Sequence, residues 1–74
     1  MIENDLKRYR LKYIFVNTQN NEENPLSYEF DADNDADAKA YVESFTDQEV
    51  NMGYIIINIK LEQVLGQQVR EITL

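Results

Sequence analysis

From Arg8 to Tyr13 the chain alternates without a break, and Phe15 keeps the phase: Tyr9, Leu11, Tyr13 and Phe15 at odd positions, Arg8, Arg10 and Lys12 among the even ones. A period of two is the signature of a half-buried strand, and winding it into a helix would scatter the apolar residues around the circumference. The spacing therefore predicts a strand over 9–16. A shorter alternation, Leu26, Tyr28 and Phe30, predicts a second strand over 26–31, and the polar residues 17–25 between them read as a loop. Pairing Tyr13 with Tyr28 and Leu11 with Phe30 gathers the apolar side chains on one face. The same register sets Lys12 against Glu29 and Arg10 against Asp31 on the other face, so packing and charge both favour this hairpin.

Beyond it the period changes. Ala38, Tyr41, Val42 and Phe45 follow i, i+3, i+4, i+7, one apolar stripe of a helix that starts near Asn34 or Asp35 and fades over 46–48. Asp33, Asn34 or Asp35 can cap it, and Asp37 places negative charge at the favourable end of the helix dipole. Met52 and Gly53 lead into a third strand, 54–61, with Ile55, Ile57, Ile59 and Leu61 as its expected core face. Residues 61–74 admit either a helix or a hairpin turning at Gly66-Gln67. The hairpin is preferred, because glycine at the first central position suits a type II′ turn and Leu61 then faces Ile72. It carries one unfavourable pairing, Glu62 opposite Glu71. The expected fold is a single α+β domain over 1–74, an antiparallel sheet in the sequence β-β-α-β-β with one helix packed on one face.

Composition narrows what such a domain can do. The 74 residues include no cysteine and no histidine, which removes disulfides, thiolate zinc sites and the commonest remaining transition-metal ligand. Stability must come from packing, and a core of this size rarely supplies more than about 3–5 kcal/mol net. No secretory h-region opens the chain, and its longest apolar runs, 54–57 among them, are far short of the roughly 20 residues that span a bilayer. A cytoplasmic, membrane-free protein is the expectation.

Net charge is −7, and it is concentrated: residues 22–49 hold ten acids against Lys39 alone. An acidic chain repels phosphate backbones, so direct nucleic-acid binding is not expected. Nor is catalysis. Ser27 and Ser44 lie in no nucleophile motif, the two glycines form no phosphate loop, and no cofactor signature is present.

Two features point outward. Asp31, Asp33, Asp35 and Asp37 recur at every second position where strand gives way to helix. Three readings are open: an overcharged helix start, a cation site, or a negatively charged docking edge. An EF-hand loop counted from Asp31 would need glycine and glutamate where Ala36 and Val42 stand, so no metal site is assigned. The second feature is the sheet face away from the helix, where Ile14 and Val16, joined by Tyr54 and Ile56, are too apolar to be fully solvated. The expected function is a small acidic, non-enzymatic protein-interaction module, an inhibitor or adaptor, acting through these charges and this face on another protein or on a second copy. Alternatives are a nucleic-acid mimic that blocks a DNA- or RNA-binding protein, and a weak divalent-cation binder.

Overall fold

In the computed structural model, which describes residues 6–74, five elements follow in order: β1 (Lys7–Asn17), β2 (Glu22–Ala32), α1 (Asp35–Asn51), β3 (Ile55–Leu65) and β4 (Gln68–Ile72). The strands form one antiparallel sheet in the order β2-β1-β3-β4, and α1 carries the chain from the β2 edge to the interior strand β3. The expected α+β architecture is the one observed.

The first hairpin is tighter than expected. Its turn spans four residues, 18–21, and is held by asparagines. Asn17 accepts the Asn21 N–H through its carbonyl at 2.7 Å and the Gln19 N–H through Oδ1 at 2.9 Å, while Asn20 Oδ1 accepts the Glu22 N–H at 3.0 Å. Asn21 takes a left-handed φ of 59°, a conformation asparagine tolerates better than most residues. Residues 22–25 therefore extend β2 rather than forming a loop. Pro25 is accommodated because β2 is an edge strand, where a missing N–H need not break the ladder.

This turn corrects the expected register by two residues. Tyr13 pairs with Leu26, Leu11 with Tyr28 and Tyr9 with Phe30; Arg10 meets Glu29 and Arg8 meets Asp31. A slip of two keeps every side chain on its own face, so the apolar pattern accepts either register and turn length decides.

Asn34 is the N-cap of α1, its Oδ1 accepting the Asp37 N–H at 2.8 Å. The helix outlasts its apolar stripe and runs to Asn51. Gly53, at φ 86°, stops it: its N–H reaches the Val50 carbonyl at 2.9 Å, and the Tyr54 N–H reaches that of Glu49 at 3.0 Å. The C-terminal segment is a hairpin with Leu61 facing Ile72 and Glu62 facing Glu71, as preferred from sequence. Gly66 has φ 65° and Gln67 does not share the positive φ, the combination a type II′ turn requires.

Tyr9, Leu11 and Leu61 are fully buried under Ala38 and Val42 of α1, with Ala32 and Ile72 completing the cluster. Tyr13, Phe30, Phe45 and Ile59 are half-buried at its margin. The core thus lies wholly on the helix side of the sheet.

Candidate functional site

The opposite side of the sheet is built from the even-numbered residues of β1 and their cross-strand partners. Toward the β1 start it is a charge ladder. Arg8 lies 3.5 Å from both Glu29 and Asp31, Arg10 contacts Glu29 at 3.1 Å and Glu62 at 3.3 Å, and Lys12 contacts Glu62 at 3.2 Å. Glu62, only 9% exposed, sits directly across from Glu71, and the two cations reaching it from β1 offset that like-charge pairing. The Arg10 guanidinium is held above its ordinary range, first by its hydrogen bond to Glu29 and against the opposing cost of desolvation.

Past Lys12 the character changes, because β3 carries a bulge. Lys12 pairs with Lys60, but Ile14 pairs with Ile57, so Asn58 and Ile59 together oppose Tyr13. Asn58 absorbs the extra residue with a left-handed φ of 55°. The alternation of β3 is reversed beyond it. Ile57 and Ile55 stand beside Ile14 and Val16 on the open face, whereas Ile56 pairs with Phe15 on the helix side.

This corrects the expected patch. Ile14 and Val16 are where the alternation puts them, but Tyr54 and Ile56 are not their neighbours. The Tyr54 ring packs edge-on to Phe15 with centroids 5.2 Å apart, and Tyr54 lines a cleft with Phe45 and Tyr41, all on the helix side. Ile55 and Ile57, expected in the core, are instead 47% and 37% exposed. An unbroken period of two would put Ile55 and Ile57 in the core; the signal against it is Asn58, an asparagine inside a run of isoleucines.

The open face is therefore divided. One half is charged and internally paired. The other is an aliphatic patch, Ile14, Val16, Ile55 and Ile57, bordered by Pro25 opposite Ile14. A depression of about 580 Å³, lined by Lys12, Ile14, Pro25, Ser27, Asn58 and Lys60 among others, marks the boundary. The helix lies on the other side, and no further helix exists among the described residues.

The four aspartates of the 31–37 run do not converge. Asp31 is drawn to Arg8 on the open face. The Asp33 carbonyl accepts Lys7 Nζ at 2.9 Å in the bend before the helix, and the exposed Asp37 follows the cap. Asp35 turns to the helix side, where it accepts the Tyr9 hydroxyl at 2.9 Å and Arg70 Nη2 at 2.7 and 2.9 Å. Arg70 also donates to Gln63 Oε1 at 2.7 and 3.0 Å. These contacts tie the helix start to β1, β3 and β4. Arg70 first, and then Tyr9, hold the Asp35 carboxyl below the usual carboxylate range, while burial and then Asp35 push the Tyr9 phenol up. Among the described residues no three metal-ligating side chains gather in one place.

No protein-family model matches this chain, and no curated protein or solved structure matches it. What its fold defines is a class: a two-layer α+β sheet with one face under a helix and the other, among the described residues, open. No helix among the described residues is long and apolar enough to cross a membrane.

Proposed function

We propose that this chain is a non-enzymatic protein-interaction module that docks through the aliphatic half of its open sheet face, with a second copy of itself as the partner. The observation that carries this reading is the cross-strand pairing of Ile14 with Ile57 and Val16 with Ile55 on the face away from α1. Contiguous apolar surface of this kind marks contact sites more often than solvated ones. Of the basic side chains beside it, Arg10 and Lys12 already have acidic neighbours within the chain, while Lys60 stands at the rim of the boundary depression, so the centre of the patch asks for an apolar counterpart. A two-fold axis through the patch supplies one, each copy offering the same residues.

The nucleic-acid mimic ranks second. Asp31 and Asp35 are engaged by Arg8 and Arg70, which leaves a weaker anionic array than the run suggests in sequence. The dispersed aspartates give the divalent-cation alternative little support.

The test is Ile14→Glu combined with Ile57→Glu. Both changes lie on the open face, so helix content should be retained while sedimentation changes from a concentration-dependent to a monomeric profile. Wild-type protein that stays monomeric at several hundred micromolar would remove self-association from this reading.

A further inference from the structure

On the helix side, separate from the patch just described, the last turns of α1 and the sheet enclose a cleft of about 450 Å³. It is lined by Tyr28, Tyr41, Phe45 and Tyr54, with Gln48 and Glu49 on the helix wall. Its volume falls within the range of about 300–1,000 Å³ usual for small-ligand pockets. All three of its tyrosines, Tyr28, Tyr41 and Tyr54, remain exposed. Tyr41 lies nearly parallel to Tyr28, at 6° and 6.2 Å between centroids, and stacks on Phe30 at 4.2 Å, so its ring is held in place.

Three features of this cleft favour a positive guest. Aromatic faces attract cations through the ring quadrupole. Glu49 brings a carboxylate to the wall, and among the described residues no side chain donates a hydrogen bond to it. The cleft also lies at the C-terminal end of a 17-residue helix, the negative end of its dipole, and the last turn contains no basic residue to complement it.

The acceptors choose among cations. A quaternary ammonium has no N–H to give Glu49 or Gln48, whereas a guanidinium offers five donors and a flat face for stacking on tyrosine. The geometry points to a recognition site for an arginine side chain of a protein partner, with the guanidinium stacked on the tyrosines and hydrogen-bonded to Glu49.

The test uses the whole chain and four probes: the peptides Gly-Arg-Gly, Gly-Lys-Gly and Gly-Gln-Gly, each blocked at both ends, and tetramethylammonium. Aromatic and backbone resonances are followed by NMR. Gly-Arg-Gly should shift Tyr28, Tyr41, Phe45 and Tyr54 saturably, with weaker effects from Gly-Lys-Gly and none from Gly-Gln-Gly. Glu49→Gln and Tyr54→Leu should each weaken binding by about two- to fivefold, the size expected for one exposed charge pair or one cation–π contact. Backbone spectra of both variants establish that the fold persists. Equal response to the glutamine peptide, unchanged affinity in Glu49→Gln, or shifts outside the cleft would overturn the assignment. Tighter binding of tetramethylammonium or of the lysine peptide would overturn the choice of guanidinium.

Discussion

Asp35 shows how one residue of a four-aspartate run can have a local structural duty. Its carboxylate takes hydrogen bonds from Arg70 and Tyr9 and fastens the first turn of α1 to the sheet. Because its folded pKa is depressed, its contribution is fully present above the unfolded value near 4 and is lost as pH falls through the lower folded value. Wild-type urea midpoints should therefore drop more steeply than those of Asp35→Asn as pH falls below about 4. Parallel slopes for the two proteins would show that the Arg70 contact does not persist in solution. Burial sets a second expectation at this scale. Leu11 is fully enclosed, so Leu11→Ala should cost about 2–5 kcal/mol and leave most of the chain unfolded at room temperature. Phe45 closes the helix stripe in sequence but lies half-buried against Tyr13 at 5.1 Å, so Phe45→Ala should be milder, with a folded baseline still visible in thermal melts.

At the scale of elements, what could be read in advance was whatever depended on local period and local turn chemistry. The β1 alternation, the α1 stripe from Ala38 to Phe45 and the Gly66-Gln67 turn all correspond to observed structure. What escaped was long-range register. The two-residue slip of β1 on β2 leaves the apolar pattern unchanged, so only the asparagine turn at 18–21 could have revealed it. The β3 bulge escaped for a related reason: a single left-handed Asn58 reverses faces without altering the apolar content of the strand, and with it half of the expected patch changed sides. The Asp35–Arg70 contact was hidden too, since it joins residues 35 apart in sequence through a hairpin that was itself one of two readings. The bulge makes its own prediction. Asn58→Gly should be neutral or slightly stabilising, because glycine adopts positive φ freely, while Asn58→Val should lose about 1–2 kcal/mol. Equal unfolding midpoints for the glycine and valine variants would mean that Asn58 is not left-handed in solution.

At the scale of the whole molecule, the thickness of a single sheet and a single helix, 19 Å along the shortest axis, leaves one more face than the described residues cover. The core draws on the helix side alone, while Ile14, Val16, Ile55 and Ile57 stay on the other. Under the proposed self-docking, magnitudes limit how tight the contact can be. Full burial of each aliphatic side chain is worth about 1.5–3 kcal/mol, and these four are already partly covered by their neighbours. Association costs an estimated 4–15 kcal/mol in lost translational and rotational freedom. With under half of each side chain still exposed, eight of them recover about 5–10 kcal/mol, which exceeds only the lower end of that cost and places the expected dissociation constant at tens of micromolar or weaker. The dimer should then dissolve on dilution, and the melting temperature should rise with protein concentration, since association stabilises only the folded chain. Ile14→Glu with Ile57→Glu should abolish that concentration dependence and melt at the temperature of the dilute wild type, because neither residue belongs to the buried core cluster. A melting temperature independent of concentration in the wild type, measured from about ten to several hundred micromolar, would mean the patch is not satisfied by a second copy.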